Sequence, residues 1–264
     1  MNRFHPLLTA GVSILAAVAT SGCSAHAESH ESGRTLIVFL DLSASITDGQ
    51  RALWKREAAR LASGLGDDSS ITVFAIHDHT MDAARLYEAE IPAPVADGTR
   101  TAAEKQKVAR REARKGALAT IASALDSGVK SSRTDVFSAI DRVRPAHDGR
   151  RLEVFFFSDM LNSTPDFNME LPGTLTRSAI TDRIGLLVRR HSWRSGQLAG
   201  AEVYCVLNSI ETGRHGPVVD RLTQQAFYSS LFESLGAHLM AYDTNISGLS
   251  SLAVEGGRYV AQAE

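Results

Sequence analysis

Three oxygen-bearing side chains follow the apolar run at residues 36–40 at intervals of two residues: Asp41, Ser43 and Ser45. A chain that leaves a strand in an extended conformation can direct alternate side chains to the same side. One carboxylate and two hydroxyls form a set of hard oxygen donors, which suits Mg²⁺, Mn²⁺ or Ca²⁺ better than zinc. Aspartate and serine are also common N-cap residues, and a helix is predicted just after them. On this triplet alone, a metal site and a helix cap both remain open.

The elements that must position such side chains are apolar runs typical of strands buried on both faces. These runs occupy residues 36–40, 71–76 and 152–157, and polar residues follow each of them. Such predominantly apolar strands indicate a parallel sheet covered by helices, in which ligands bind at the carboxyl ends of the strands. The second run is followed by His-Asp-His at 77–79, which is either a polar loop or a second metal site. Asp159 follows the third run, so acidic side chains are predicted at the same edge of two strands.

Helices and strands alternate along the rest of the chain. Helical periodicity is predicted over 48–65, 101–125, 136–143, 180–191 and 218–235, and further strands over 201–210 and 238–242. The segment 81–91 is either an edge strand or an irregular connection, and residues 247–254 could form a closing helix. This alternation predicts an α/β fold, a doubly wound and mostly parallel six-stranded sheet with helices on both faces.

Composition and charge are those of an ordinary globular protein. The 264 residues are 44% hydrophobic and 22% charged, which is sufficient for one large domain with its own core. The formal net charge of −2 gives no indication of a nucleic-acid partner. A basic stretch at 104–115 is either a solvated helix face or a binding surface for an acidic partner or lipid headgroups.

The first residues have the features of an export signal. Arg3 precedes an apolar run over 7–20 that is too short to cross a bilayer, and small residues follow it. Two cleavage sites compete. The sequence TSGC at 20–23 is similar to a bacterial lipobox, with Thr in place of the usual Leu, whereas AHA at 25–27 fits ordinary signal peptidase. We expect a protein exported to the cell envelope or periplasm, anchored to a membrane by lipid on Cys23 or else released in soluble form after Ala27.

The chain is accordingly divided into an export signal at 1–22, a tether at 23–33, one α/β domain at 34–255 and a C-terminal tail at 256–264. The second cysteine, Cys205, lies in an apolar, strand-like run. Because Cys23 is either acylated or removed, Cys205 is predicted to be a small buried core residue and not part of a disulfide.

Five polar side chains have defined positions relative to the predicted elements: Asp41, Ser43 and Ser45 follow the first strand, Thr134 lies between two helices, and Asp159 follows the next buried strand. This order, together with the intervening elements, resembles the von Willebrand factor A (VWA) domain over about residues 34–255. The resemblance implies the VWA fold, a Rossmann-like, mostly parallel sheet with one antiparallel edge strand. Such an edge strand fits the uncertain segment at 81–91.

In VWA domains, side chains at these five positions form the metal-ion-dependent adhesion site. The resemblance implies that Ser43, Ser45 and Thr134 bind a divalent cation, and that Asp41 and Asp159 bind it directly or through water. Mg²⁺ is expected, with Mn²⁺ or Ca²⁺ as alternatives. The family's usual partner is a protein that supplies a carboxylate to the remaining coordination position. Hydroxyl ligands favour such a partner because they leave the ion electrophilic.

Three positions depart from the family pattern, in which glycine is common: Ala44 between the serines, Arg133 before the threonine and Met160 after the last aspartate. Glycine at such positions permits close backbone approach or a positive φ. The pattern therefore fixes the ligand set more firmly than it fixes the loops that carry it.

The function favoured by this pattern is a non-enzymatic, cation-dependent protein-binding module of the cell envelope. The main enzymatic alternative is a Mg²⁺-dependent phosphatase of the haloacid dehalogenase type, with Asp41 as the nucleophile. That chemistry requires a second acid two residues further on, where this chain has Ser43. A serine hydrolase would need a Gly-x-Ser-x-Gly elbow, which the sequence lacks. A VWA-fold scaffold that has lost metal dependence is the third alternative.

Overall fold

The computed structural model describes residues 33–78, 80–94, 100–127, 131–145, 149–207 and 219–244. The predicted export signal, Cys23, the tether before Gly33, the closing helix at 247–254 and the tail at 256–264 lie outside the described residues. Within these ranges, no helix is long and apolar enough to span a membrane.

The described chain contains eight strands and five α-helices, which alternate for most of its length. In chain order they are β1 (Arg34–Asp41), α1 (Asp48–Ser63), β2 (Ser69–Ile76), β3 (Arg85–Ile91), α2 (Arg100–Asp126), α3 (Val136–Asp141), β4 (Arg151–Phe157), β5 (Ser163–Thr164), β6 (Phe167–Asn168), α4 (Ile180–Arg190), β7 (Glu202–Val206), α5 (Arg221–Ser234) and β8 (His238–Asp243). Two 3-10 helices, Thr80–Asp82 and Arg177–Ala179, precede β3 and α4.

Six of the strands form one sheet in the order β3-β2-β1-β4-β7-β8, and among these six β3 alone is antiparallel to its neighbour. The doubly wound, mostly parallel fold predicted from the sequence is therefore confirmed, and the uncertain segment at 81–91 contains the antiparallel edge strand. From β1 the chain proceeds outward to β2 and β3, and it then returns to the other side of β1 at β4. Open α/β sheets bind ligands at such a reversal, here between the carboxyl ends of β1 and β4.

Two hydrophobic layers hold the sheet between the helices. Alternate residues of a strand face opposite sides, so Phe39 contributes to the layer under α3, α4 and α5, while Leu40 contributes to the layer under α1 and α2. Cys205 on β7 is fully buried in the first layer. Burial raises the pKa of its thiol, as expected for an unreactive core cysteine. The predicted core role of Cys205 is confirmed.

A short hairpin after β4 was not predicted from the sequence. Its strands, β5 and β6, are antiparallel and contain two residues each, with Ser163 opposite Asn168 and Thr164 opposite Phe167. The hairpin lies directly after Asp159 in the chain and therefore belongs to the loops at the carboxyl edge of the sheet.

Phe156 in the centre of β4 is predicted to be essential for stability. Its ring stacks on Phe39 at a centroid distance of 4.9 Å, approaches Phe232 at 6.0 Å, and is 1% exposed. We expect Phe156→Ala to lower the free energy of unfolding by about 3–5 kcal/mol, because the cavity cannot close within a packed sheet. Leu222→Ala, at a position 69% exposed, is the matched control and should change it by less than about 0.5 kcal/mol. Equal losses in urea unfolding would contradict this account of the core.

Candidate metal centre

The parallel pairing of β1 with β4 brings the two predicted aspartates to one edge of the sheet. Leu40 lies opposite Phe157 in the register of the two strands, so the next residues, Asp41 and Ser158, leave the sheet side by side. The Ser158 hydroxyl donates a hydrogen bond of 2.7 Å to Oδ2 of Asp41. Asp159 follows immediately and lies at the same edge.

Four of the five predicted ligands form a continuous hydrogen-bonded chain. The backbone N–H of Ser43 donates to Oδ1 of Asp41 at 2.8 Å, and the hydroxyl oxygens of Ser43 and Ser45 are 2.9 Å apart. The Ser45 hydroxyl donates to Oδ2 of Asp159 at 3.3 Å. The structure therefore brings together side chains that are separated by more than one hundred positions in the sequence.

These residues do not cap the helix that follows them. The N-cap of α1 is Thr47, whose side chain accepts a hydrogen bond of 3.3 Å from the N–H of Gln50. The cap interpretation of Asp41, Ser43 and Ser45 is wrong, because the chain passes through two further residues before the helix begins. Their oxygens are therefore free of a capping role.

Thr134, the fifth predicted ligand, lies in a loop that is paired with the Ser43 segment. The N–H of Ala44 donates to the carbonyl of Ser131 at 2.9 Å, and the N–H of Ser131 donates to the carbonyl of Leu42 at 3.2 Å. Thr134 itself is buried. Its hydroxyl is not hydrogen-bonded to any of the other four predicted ligands, so the structure aligns the loop without joining Thr134 to their chain.

Two residues that were not identified from the sequence, Asn162 and Ser163, fix the Thr134 loop. The N–H of Thr134 donates to Oγ of Ser163 at 2.8 Å, and the N–H of Ser163 donates back to the carbonyl of Thr134 at 2.9 Å. Asn162 accepts from the N–H of Val136 at 3.0 Å and donates to the carbonyl of Phe167 at 2.7 Å. Both side chains are buried. They join the loop after β4 to the loop before α3.

Helix α5 supports the Asp159 loop from the other side. The side-chain amide of Gln224 donates to the carbonyl of Asp159 at 3.0 Å, and the Tyr228 hydroxyl donates to the carbonyl of Met160 at 2.8 Å. Met160 has φ 60°, in the left-handed region where the family pattern has glycine, and its side chain is fully buried. Ala44 and Arg133, the other two departures from glycine, do not have positive φ.

The two carboxyl groups are costly to ionise in the absence of a cation. Burial raises the pKa of Asp41 even though Ser158 and Ser43 donate hydrogen bonds to it. Burial, followed by the negative charge of Asp41, raises the pKa of Asp159 to about 7. A bound dication would stabilise both anions, so this pair of acids fits a metal site.

The donor set also indicates which ions fit. Within the described residues, no three His, Cys, Asp or Glu side chains cluster in a way that could hold a metal ion. A cation at this edge would therefore depend on hydroxyl oxygens in addition to Asp41 and Asp159, which suits Mg²⁺, Mn²⁺ or Ca²⁺ and not zinc. Ser45 is exposed and Asp159 is partly exposed, whereas Asp41 and Ser43 are buried, so the site faces solvent on one side.

The residues after β2 form a hydrogen-bonded turn where the structure describes them. The N–H of His77 donates to the Thr80 hydroxyl at 3.1 Å, and the N–H of Asp78 donates to the Ser131 hydroxyl at 3.1 Å. Nδ1 of His77 lies 3.4 Å from Oδ1 of Asp78, and His79 lies outside the described residues. The turn thus links β2 to the loop that carries Thr134.

Comparison with known proteins gives similarity only at the level of solved structures. No protein-family model and no curated protein matches the sequence. The SpRpn10 VWA domain is 10% identical with a TM-score of 0.37, covering 86% of this chain and 99% of that one. A von Willebrand factor type A protein from Catenulispora acidiphila is 11% identical with a TM-score of 0.39, covering 85% and 41%. The manganese-loaded TRAP protein of Plasmodium vivax is 12% identical with a TM-score of 0.36, covering 84% and 72%.

The strand order and register described above carry the fold assignment independently of these similarities. The chain has a doubly wound α/β fold with a six-stranded, mostly parallel sheet, one antiparallel edge strand, and polar side chains gathered where the strand order reverses.

Loss of the Ser163 hydroxyl is predicted to destabilise the domain, because it leaves the buried N–H of Thr134 without an acceptor. We expect Ser163→Ala to lower the free energy of unfolding by about 1–3 kcal/mol, measured by urea denaturation. Ser230→Ala, at an exposed position on α5, is the matched control and should change it by less than about 0.5 kcal/mol. If the two variants are equally stable, the Ser163 hydroxyl does not hold the loop.

Proposed function

We propose that this chain is a non-enzymatic module that binds a protein partner through a divalent cation at the carboxyl ends of β1 and β4. The observation that carries the proposal is the hydrogen-bonded chain that runs from Asp41 through Ser43 and Ser45 to Asp159. It joins residues from two parallel strands into one set of hard oxygen donors beside two carboxyl groups of raised pKa.

Each predicted ligand has a defined role in this proposal. Ser43, Ser45 and Thr134 supply neutral oxygens to the cation, and Asp41 and Asp159 supply negative charge directly or through water. Mg²⁺ is the proposed ion, with Mn²⁺ or Ca²⁺ as alternatives. When bound, the cation supplies an electrophilic centre that accepts an oxygen ligand from outside the chain.

The partner is proposed to contribute a carboxylate. The exposed Ser45 and the partly exposed Asp159 mark the side from which an external group can approach, since Asp41 and Ser43 are buried behind them. The proposed ligand set contains two acidic side chains, Asp41 and Asp159. A third negative oxygen from a partner is attracted to the dication and would be repelled by these two carboxylates without it.

The environment of Asp41 supports binding in preference to phosphoryl transfer. A phosphoryl-accepting nucleophile must present a carboxylate oxygen to the substrate. Here the Asp41 side chain is fully buried, and its two oxygens accept hydrogen bonds from the N–H of Ser43 and the hydroxyl of Ser158. The position of a second acid, two residues after Asp41, is occupied by Ser43.

The module is proposed to act outside the cytoplasm, in the cell envelope or periplasm. The basic and then apolar N-terminal sequence supports export, and the TSGC sequence at 20–23 supports attachment to a membrane by lipid on Cys23. Cleavage after Ala27, which would release the same domain in soluble form, is the alternative.

Asp41→Asn is expected to abolish stabilisation by the cation while leaving the domain folded. In the wild-type protein, Mg²⁺ at about 100 times its Kd should raise Tm by about 5–10 °C, through binding to the folded state alone. The variant should show no such shift. Its Tm in EDTA should equal or exceed that of the wild type, because the substitution removes a buried carboxyl group that is costly to ionise.

Differential scanning fluorimetry with Mg²⁺, Mn²⁺, Ca²⁺ and EDTA makes this measurement. Asp182→Asn, an exposed acid in the first turn of α4, is the matched control and should retain the full shift. A full cation response in Asp41→Asn refutes the ligand assignment. A wild-type protein that responds to none of these ions refutes metal dependence and leaves a scaffold as the function.

Removal of a neutral ligand is expected to weaken the site less than removal of Asp41. Ser43→Ala and Thr134→Ala should each raise the Kd for Mg²⁺, measured by calorimetry, by a smaller factor than Asp41→Asn does. Thr134→Ser retains the hydroxyl and is expected to restore binding. If Thr134→Ala binds Mg²⁺ as the wild type does, Thr134 is not a ligand and the remaining four residues define the site. A pull-down from envelope extract tests the partner. The wild-type protein should retain an envelope protein, and both EDTA and Asp41→Asn should abolish this retention.

A further inference from the structure

A groove distinct from the metal centre lies over the amino-terminal halves of β1 and β2, beside β3. It has a volume of about 740 Å³. Helix α3 packs on this face of the sheet but contains only six residues, about 9 Å of helix, whereas the eight residues of β2 extend for about 26 Å. A helix of that length cannot cover the strands beneath it, and the start of the sheet face is left open.

The floor of the groove is partly polar, unlike the core beyond it on this face. Of the five side chains that β1 and β2 present there, three carry hydroxyls, Thr35, Ser70 and Thr72, and two are apolar, Ile37 and Phe74. The Ser70 hydroxyl donates to that of Thr35 at 3.3 Å. Further along β1, beyond the groove, the next position on this face is the fully buried Phe39. The floor therefore offers hydroxyl donors and acceptors where a closed core would have apolar side chains.

The walls of the groove carry a net positive charge. Four arginines and two glutamates line it, which gives a net charge of +2. Both glutamates are already paired within the walls. Glu88 forms an ion pair with Arg85, and Glu90 forms one of 3.0 Å with Arg150, which also pairs with Asp68 at 2.8 Å.

The remaining two arginines, Arg142 and Arg144, are held by neutral groups. Arg142 donates to the carbonyls of Thr80 and Met81 at 3.2 and 2.7 Å, and its guanidinium carbon lies 4.4 Å from the centroid of the Phe74 ring. Arg144 donates to the carbonyl of Asp141 at 2.8 Å. In the part of the chain that the structure describes, neither guanidinium has a carboxylate within 4.0 Å. Burial, followed by the positive charge of Arg144, lowers the pKa of Arg142, and the negative charge of Asp82 opposes this shift in part, so Arg142 and Arg144 lie close enough to repel each other.

We propose that this groove binds the phosphate group of a ligand between Arg142 and Arg144, over the hydroxyl floor formed by Thr35, Ser70 and Thr72. A phosphate monoester carries a charge of about −1.5 to −2 near neutral pH, which matches the net charge of the lining. Guanidinium groups bind such oxyanions through paired N–H donors, and hydroxyl groups donate to the remaining oxygens. The groove shares no residue with the proposed metal centre, which lies at the carboxyl ends of β1 and β4.

The proposal is tested by NMR titration of the purified protein with inorganic phosphate and, separately, with O-phosphoserine, at constant ionic strength and in EDTA. We expect saturable shifts of the Arg142 and Arg144 Nε–H signals and of the Ser70 and Thr72 amides. A response to both probes identifies a general phosphate site, and a response to O-phosphoserine alone identifies a site for phosphate esters. Acetate at the same concentration tests whether a carboxylate binds in place of phosphate, and it should bind at least tenfold more weakly.

Arg144→Ala is the informative variant, because Arg144 is exposed and, among the residues that the structure describes, forms no ion pair whose loss would impair folding. It should weaken phosphate binding at least tenfold. Arg56→Ala, an exposed arginine of α1 on the opposite face of the sheet, is the matched control and should have no effect. The proposal is overturned if phosphate shifts no signal in the groove, if acetate binds equally well, or if both variants reduce binding equally.

Discussion

The parallel pairing of β1 with β4 is the constraint on which the candidate site depends. A register that sets Leu40 opposite Phe157 places Asp41 beside Ser158, and Asp159 is the next residue. Neither loop alone could bring two acids to one point, because the residues that meet there are more than one hundred positions apart. The aromatic core below, with Phe156 stacked between β1 and α5, keeps the strands in that register.

The site also shows how a folded domain can tolerate acids that it does not neutralise. Burial and the charge of Asp41 raise the pKa of Asp159, yet the loops around the acids form closed sets of hydrogen bonds. The free-energy cost of the two buried acids is therefore confined to a few groups at the edge of the sheet, and the two hydrophobic layers stabilise the domain. Ligand-binding residues commonly occupy such positions, where a rigid scaffold holds unfavourable charge close to solvent.

Much of this arrangement follows from the sequence, because apolar runs such as residues 71–76 and acids placed directly after them have a strong local signal. Asn162 and Ser163 could not be found in that way. Asn162 directly precedes β5 and Ser163 is its first residue, and the two strands of this hairpin contain two residues each and have no periodicity. The hydrogen bond of Ser163 runs to a loop almost thirty positions earlier. The cap of α1 stayed open in the sequence for a related reason: several residues before the helix are good caps, and only the course of the chain selects Thr47.

At Met160 the backbone conformation favours glycine, whereas the packing around the side chain favours a large apolar residue. Its backbone is left-handed, which costs a residue with a Cβ atom about 1–2 kcal/mol, and its side chain is completely buried. Glycine would relieve the backbone but leave a void, and truncation of a buried methionine costs about 2–5 kcal/mol. Neither residue is optimal on its own, so replacement of Met160 by glycine requires a larger neighbour to fill the space first. The order in which substitutions can accumulate in this loop is thereby restricted.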